Sequence, residues 1–329
     1  MNILIIGSSG FIAKYFLDYL RKGNNKIIGI DIIKSINTTI LYDVRTKIIL
    51  DSLPNKVDLI VNLAAIHREP GHNLEEYFHT NLLGAENVCD LAEKLSCNRI
   101  IFTSSISPYG SSDELKDEYS VPCPSTAYGS SKLAAEKIHI SWQNRDKNKR
   151  ILTIVRPGVV FGKGEHGNMS RLVKLIHKNL FFYMGNKNIC KAGIYVKELI
   201  NQTIWVHEKQ IKKKFSKIIV FNATMWPNPS IHNYVTSIKE LSNIKSYILN
   251  IPFLFFLIPG YFFDLLFKFL GKQNNLSPIR LRKLISPNKI KPSFLLINNY
   301  KFLYTLHSAL ADWKKEDPEI WSKFHERTL

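Results

Sequence analysis

Residues 2–13 read NILIIGSSGFIA, and this stretch decides the fold class. A short run of branched apolar residues is typical of a buried parallel strand, and here it leads directly into a turn and a helical pattern. Gly7 and Gly10 let the backbone turn sharply and approach a phosphate, while the following helix supplies N–H groups and a positive dipole. The junction therefore predicts a dinucleotide-binding turn that includes Phe11 and Ile12.

The alternation of strand and helix continues along the first half of the chain. Apolar runs predict further strands at 26–31, 57–64, 98–105, 150–157 and 218–224. Helical patterns cover 11–22, 73–96 and 126–145 and, later, 168–179, 197–208 and 230–243. This order predicts an α/β fold with a doubly wound parallel sheet of the Rossmann type. We expect a cofactor domain over 1–165 and a smaller, mixed C-terminal substrate lobe over 166–329, with elements near 190–224 returning to the main sheet.

An acidic residue ends the second predicted strand. The Asp31 carboxylate can accept hydrogen bonds from the adenosine ribose hydroxyls of a dinucleotide. Its negative charge would repel the 2′-phosphate of NADP. NAD is therefore the favoured cofactor, and the nearby Lys34 leaves NADP open as a second choice.

A tyrosine and a lysine four residues apart follow the predicted fifth strand. On a helix, Tyr128 and Lys132 share one face. A free phenol has a pKa near 10, and a neighbouring ammonium lowers that pKa by stabilising the phenolate. The pair can then exchange a proton with a sugar hydroxyl while a nicotinamide moves a hydride. Ser105, at the mouth of the preceding strand, could hold the substrate oxygen.

Composition and charge limit the classes of partner that the chain could have. The chain has 329 residues and four cysteines without a CxxC pair, so we expect reduced thiols, no disulfide framework and no metal site. Residues 1–150 hold 18 basic and 17 acidic side chains, whereas residues 151–329 hold 27 and 10. The basic half suggests a phosphorylated substrate, a membrane face or nucleic acid, or simply a solvated basic surface. Because the chain has no nucleic-acid-binding motif, no nucleic-acid partner is expected.

The stretch from Ser246 to Phe263 has 18 residues without a charge. A membrane-spanning helix needs about 20, and Pro252, Pro259 and Gly260 interrupt this one. A buried or surface-docking helical pair is favoured, and contact with an anionic membrane surface is kept as a hypothesis. The chain start shows no signal-peptide pattern, so a cytoplasmic location is expected, with association at the cytoplasmic face of a membrane left open.

Taken in order, these motifs resemble the extended short-chain dehydrogenase/reductase family, specifically its nucleotide-sugar epimerase/dehydratase branch. GSSGFIA, NLAAIHR, SSISPYG, YGSSK and RPGVVFG carry the resemblance, closely over about residues 1–200 and more loosely beyond. It assigns catalysis to Ser105, Tyr128 and Lys132. It implies additional cofactor-site residues, namely Asp43, Val44, Leu63, Ala64, Ala65, His67, Asn81 and Ser104. For a substrate diphosphate it implies Asn168 and Lys191, and Arg280 lies in a further segment, LSPIRLRKL, assigned to the substrate.

Two departures from the family pattern bear on which reaction the chain catalyses. The family's dehydratases carry an acidic pair where this chain has Ile106 and Ser107, and neither residue can act as an acid, so dehydration is not expected. Lys197 and Glu198 stand where the family usually has two acidic residues. The tail loosely resembles bacterial members that reduce 4-keto sugars in O-antigen or capsule polysaccharide assembly.

The reaction is therefore expected to be NAD(P)H-dependent reduction of a nucleoside-diphosphate 4-keto-(6-deoxy) sugar. The alternative is an NAD-dependent 4-epimerase of a nucleoside-diphosphate sugar, which uses the same residues but retains its cofactor, as Asp31 mildly favours. A non-catalytic cofactor-sensing protein is a third class, against which the intact Ser105, Tyr128 and Lys132 argue. A homodimer is implied by the resemblance alone.

Overall fold

The computed structural model describes residues 1–48, 53–68, 71–256 and 286–322, and the structural statements below concern these residues. The strands are β1 (Asn2–Ile6), β2 (Lys26–Asp31), β3 (Ile40–Leu41), β4 (Leu59–Asn62), β5 (Arg99–Thr103), β6 (Ser112–Lys116), β7 (Ile151–Pro157), β8 (Val159–Phe161), β9 (Tyr183–Met184), β10 (Gly193–Tyr195), β11 (Ile218–Ala223), β12 (Asn250–Ile251) and β13 (Asn288–Ile290). The helices are α1 (Phe11–Leu20), α2 (Leu74–Lys94), α3 (Ala127–Asn144), α4 (Asn168–His177), α5 (Val196–Ile211), α6 (Ile231–Leu241), α7 (Ser293–Ile297) and α8 (Leu306–Glu316).

Seven strands form one parallel sheet in the order β11-β7-β5-β4-β1-β2-β3. The chain winds outward from β1 in one direction through β2 and then returns to β4 on the other side. This is the doubly wound topology that the sequence predicts. In such sheets the ligand lies beyond the carboxyl ends of the strands at the point where the winding reverses, here between β1 and β4.

Helices cover both faces of the sheet, which explains why its strands are continuous apolar runs. Along β1 the side chains of Ile3 and Ile5 pack on the face covered by α1 and α5. The side chains of Leu4 and Ile6 pack on the opposite face, with residues of α2 and α3. Alternate residues of a strand point to opposite faces, so both sets must be apolar.

A second core lies in the C-terminal lobe. Phe161, Tyr234 and Trp313 are buried there, and they draw α4, α6 and α8 together. The chain returns to the main sheet as β11, which pairs with β7 over six residues. Within the described ranges, no helix is both long enough and apolar enough to cross a membrane. Residues 257–263 of the apolar stretch lie outside the described residues.

Candidate active site

The glycine turn after β1 has the geometry that a dinucleotide phosphate requires. Gly7 has φ of +83°, and a Cβ at this position would lie 2.8 Å from the backbone nitrogen of Ala64. Only glycine fits such a left-handed, crowded position. Helix α1 begins at Phe11, directly after Gly10, and no side-chain hydrogen bond caps its N-terminus. The first-turn N–H groups of α1 therefore remain available to an anion.

Asp31 is held against this turn. Its Oδ2 accepts a hydrogen bond from the backbone N–H of Ser9 at 2.8 Å, and its Oδ1 accepts one from Ile33 at 2.9 Å. These bonds fix the carboxylate at the end of β2, beside the turn that follows β1. The remaining lone pairs of the carboxylate are suited to ribose hydroxyls, so the residues present fit a bound dinucleotide.

The segment proposed to contact adenine lies on the other side of β2. Asp43 forms an ion pair with Arg45 at 2.6 Å, and the hydrogen bond from Arg45 is the main cause that lowers the pKa of Asp43. Val44 is buried, and its side chain lies against Gly84 of α2, where the absence of a Cβ leaves room for it. The contact of these residues with adenine stays a prediction.

The loop after β4, which carries Leu63, Ala64, Ala65 and His67, is braced by α2. The side-chain amide of Asn81 accepts a hydrogen bond from Ile66 N–H at 3.0 Å and donates one to Ile66 carbonyl at 3.2 Å. It also donates to Ser131 Oγ on α3 at 2.8 Å. Because its amide makes these three bonds, Asn81 positions the loop against α3. The surroundings of His67 lower its pKa by desolvation, and the charges of Arg68 and Lys132 act in the same direction.

The Tyr128–Lys132 pair lies on the first turns of α3. Thr126 caps this helix by accepting a hydrogen bond from Gly129 N–H at 3.1 Å. A Cβ at Gly129 would lie 2.7 Å from the carbonyl oxygen of Ser107, so glycine lets α3 approach the end of β5 closely. This close approach brings the first turn of α3 against the segment that follows β5 and carries Ser105, and the Tyr128 ring lies 6.4 Å from the ring of Tyr77.

Lys132 is an unusual lysine because it is only 2% exposed. Its ammonium donates to the Thr103 carbonyl at 2.6 Å and lies 4.4 Å from the centre of the Phe102 ring. Burial lowers the pKa of Lys132 to about 7, and the carboxylate of Glu136, one turn further along α3, opposes that effect. While it is protonated, an ammonium held one helical turn from Tyr128 can stabilise a phenolate.

The Ser105 hydroxyl lies just beyond the end of β5. Its Oγ accepts a hydrogen bond from Ser107 N–H at 3.1 Å and donates to Ser107 Oγ at 3.0 Å. Ser107 therefore orients the candidate catalytic hydroxyl. Ile106, between the two serines, packs with Tyr109 in a small apolar cluster.

A buried polar network lies directly behind these groups. Glu136 accepts hydrogen bonds from Ser104 Oγ at 2.5 Å and from the Arg156 guanidinium at 2.9 and 2.6 Å. Arg156 also donates to the hydroxyl of Tyr109 at 2.8 Å, which in turn donates to Asn222 on β11 at 2.9 Å. The Ser104 hydroxyl is thus directed at Glu136, and the contact of Ser104 with the cofactor stays a prediction. Sequence reasoning missed Glu136, although its i, i+4 spacing from Lys132 was visible.

The proposed substrate residues lie in the C-terminal lobe. Asn168 is exposed at the start of α4, where Glu165 caps the helix through Ser170 N–H at 2.8 Å. Lys191 donates to the carbonyl of Ser286 at 2.5 Å. Arg280 lies outside the described residues.

The Lys197–Glu198 departure has a structural explanation in the same lobe. Lys197 forms ion pairs with Asp312 and Glu316 of α8 at 2.7 and 2.9 Å. Glu198 is buried, and its carboxylate accepts a hydrogen bond from Leu303 N–H at 3.1 Å. These two side chains connect α5 to α8 and to Leu303, so the residues that depart from the family pattern contribute to packing within the lobe.

The turn, the acidic strand end and the Ser–Tyr–Lys set together define a nicotinamide-dependent oxidoreductase site of the extended short-chain type. In agreement with this, the model of the NAD dependent epimerase/dehydratase family matches residues 3–220. The chain belongs to that family, and its cofactor is NAD. The resemblance and the fold class predicted from the sequence are therefore confirmed.

Similar proteins include several sugar epimerases. The N-acetyl-alpha-D-glucosaminyl-diphospho-ditrans,octacis-undecaprenol 4-epimerase of Escherichia coli O157:H7 is 30% identical over 312 residues, 94% of this chain and 93% of that protein. The GDP-6-deoxy-D-talose 4-dehydrogenase of Aggregatibacter actinomycetemcomitans is 30% identical over 205 residues, 60% of this chain and 67% of that protein. The solved UDP-glucuronic acid 4-epimerase of Bacillus cereus in complex with NAD has a TM-score of 0.74 at 17% identity and covers 98% of this chain and 100% of its own. That likeness concerns the fold.

Proposed function

We propose that this chain is an NAD-dependent 4-epimerase of a sugar linked to a diphosphate, with N-acetylhexosamine as the sugar class. The observation that carries the proposal is the buried Lys132 ammonium, one helical turn from Tyr128 and next to the strand end that bears Ser105. The E. coli relative supports the reaction type because it is named as a 4-epimerase and its similarity extends through both halves of the chain.

Each side chain has a distinct role in this reaction. The Ser105 hydroxyl, oriented by Ser107, holds the C4 oxygen of the sugar. Tyr128, as phenolate, takes the proton of that hydroxyl, and the Lys132 ammonium lowers the phenol pKa enough for this transfer near neutral pH. When bound, NAD accepts a hydride from the sugar carbon and later returns it. After the keto sugar turns over, it presents the opposite face of C4, and Tyr128 returns the proton to the C4 oxygen.

Dehydration is disfavoured by what lies next to Ser105. Loss of water needs an acid or base beside the sugar in addition to the phenol. Ile106 is 8% exposed and packs into an apolar cluster, and Ser107 is occupied with the Ser105 hydroxyl. Neither position offers a carboxyl group, which supports proton and hydride transfer without loss of water.

Reduction of a 4-keto sugar is the second candidate, and it is the one that the tail of the sequence favoured. The A. actinomycetemcomitans 4-dehydrogenase supports it, but that similarity covers only 60% of this chain. Both reactions use Ser105, Tyr128 and Lys132 and differ in whether NAD leaves after each turnover. We place epimerisation first because its supporting relative covers 94% of the chain.

The diphosphate of the substrate is assigned to the C-terminal lobe, at Asn168, Lys191 and Arg280. The other end of the diphosphate is a nucleoside, as the sequence predicts, or a polyprenol, as in the name of the E. coli relative. A homodimer formed by two helices of the main domain and a cytoplasmic location both stay predictions.

The test begins with denaturing the purified protein and identifying any released dinucleotide and its redox state. The protein is then given UDP-N-acetylglucosamine or the same sugar on a polyprenyl diphosphate, and products are separated by chromatography. We expect retained NAD and interconversion of the C4 epimers without net consumption of NADH, abolished in Tyr128→Phe. Stoichiometric oxidation of NADH by a 4-keto-6-deoxy sugar, without epimer formation, would establish the reductase instead.

A further inference from the structure

One surface of the C-terminal lobe combines exposed apolar side chains with basic residues. It is formed by residues 171–187 and 241–256, and we name it the lobe surface. Tyr247 is 86% exposed and Leu254 is 72% exposed, and large apolar residues rarely occur in such clusters on a surface that faces only water. The other exposed apolar side chains on this surface are Leu175, Leu180, Phe182, Leu249 and Phe255.

Hydrogen bonds and a ring contact join the two segments into one surface. Strands β9 and β12 pair in parallel, with Tyr183 N–H donating to Leu249 carbonyl at 2.8 Å. The rings of Phe182 and Phe256 stack, with their centres 5.3 Å apart. Ser246 Oγ donates to the side chain of Asn179 at 2.8 Å, a further hydrogen bond between the two segments. The apolar groups are therefore displayed by hydrogen-bonded structure.

The charges of the lobe surface are all of one sign. Residues 171–187 and 241–256 contain five basic side chains and no aspartate or glutamate, although Glu240 directly precedes the second segment. The five are all exposed, and they are Arg171, Lys174, Lys178, Lys187 and Lys245. By contrast, the exposed Leu74 and Phe78 at the start of α2 lie beside Glu75 and Glu76. Aromatic and aliphatic groups surrounded by lysines are complementary to the headgroups and acyl boundary of an anionic bilayer.

We propose that the lobe surface docks on an anionic lipid bilayer, with its aromatic and aliphatic side chains at the acyl boundary and its lysines among the headgroups. The docking rests on the surface itself. The role of docking in catalysis rests on the proposed function, because helix α4 connects the lobe surface to the candidate diphosphate site. Its ten residues span about 15 Å, with Asn168 at one end and Leu175 and Lys178 near the other. A sugar diphosphate whose lipid remains in the bilayer could thus reach Asn168.

Flotation of the full-length protein with lipid vesicles tests the proposal. We expect binding to vesicles of phosphatidylglycerol and phosphatidylcholine at low salt, weak binding to phosphatidylcholine alone, and loss of binding at high salt. Tyr247→Ser and Phe255→Ser should weaken binding, whereas Tyr119→Ser should not, because Tyr119 is similarly exposed (77%) but lies outside the surface. Lys178→Ser should weaken binding about fivefold, and Lys94→Ser, at the end of α2, should leave it unchanged.

Three results would overturn the docking proposal. The first is a protein that does not float with anionic vesicles at low salt. The second is equal loss of flotation in Tyr247→Ser and Tyr119→Ser. The third is self-association without lipid that Tyr247→Ser and Phe255→Ser abolish, which would make the lobe surface an interface between copies. Epimerase activity on UDP-N-acetylglucosamine is measured separately, so failure of the proposed function is distinguishable from failure of docking.

Discussion

Replacing Glu136 with glutamine should both destabilise the protein and change the pKa of Lys132, the proposed catalytic lysine. Glu136 is 1% exposed, and its carboxylate accepts two hydrogen bonds from Arg156, which is 6% exposed. Glutamine keeps the shape of the side chain but removes its charge and turns one acceptor into a donor facing the guanidinium. The change therefore leaves a buried positive charge without its counter-ion.

The magnitude follows from the burial of the pair. Breaking a buried ion pair by removing one partner costs about 3–5 kcal/mol, because the remaining charge stays desolvated. For a chain of this size, each kcal/mol corresponds to about 2 °C in the melting temperature. We therefore expect Glu136→Gln to melt about 6–10 °C below the wild type.

The catalytic effect has a definite sign. Burial lowers the pKa of Lys132 to about 7, and the negative charge of Glu136 opposes this. Without that charge the pKa of Lys132 falls further, so the ammonium is lost at lower pH. The high-pH limb of the kcat profile, where Lys132 loses its proton, should therefore move to lower pH. The loss of kcat should be larger at pH 8 than at pH 6.

Thermal unfolding and the pH dependence of kcat measure the two effects, and Glu93→Gln is the matched control. Glu93 also forms ion pairs with arginines, Arg145 at 2.9 Å and Arg150 at 3.1 Å, but it is partly exposed to solvent. Surface pairs contribute about 0–1 kcal/mol, so the control should melt within about 2 °C of the wild type. Equal melting temperatures for the two variants, or an unmoved pH limb in Glu136→Gln, would refute the reasoning.

Three further predictions concern the cofactor turn and the proposed catalytic pair, Tyr128 and Lys132. In the folded protein the pKa of Lys132 is about 7, below its value in the unfolded chain, so above pH 7 the unfolded chain binds more protons. The free energy of unfolding should therefore rise with pH. In denaturant titrations over pH 7.5–8.5, we expect the rise to be about 1 kcal/mol per pH unit larger in the wild type than in Lys132→Met. Gly7→Ala should strongly weaken NAD binding in calorimetry, because its Cβ would lie 2.8 Å from Ala64 N, whereas Gly71→Ala, with 3.5 Å to its nearest neighbour, should bind normally. Tyr128→Phe should abolish turnover while retaining NAD, and surviving turnover would remove the phenol from its assigned role.

The sequence alone was sufficient for the elements whose signals are local. The apolar run into Gly7 predicts a strand, a tight turn and a helix within about twelve residues, and the structure has all three. The spacing of Tyr128 and Lys132 places them one turn apart on any helix. Asp31 could be assigned to the cofactor turn because parallel strands of a doubly wound sheet end at one edge.

Tertiary structure decided the contacts between residues far apart in the chain. The network from Glu136 through Arg156 and Tyr109 to Asn222 joins α3, β7, the turn after β5 and β11, and no periodicity signals such pairings. The burial that lowers the Lys132 pKa likewise depends on how closely α3 packs on the sheet. The sequence thus determined the fold class and the spacing of the candidate catalytic residues, because backbone propensity and side-chain spacing are local properties. Their positions, protonation and surroundings depend on desolvation and long-range packing, which exist only in the folded chain.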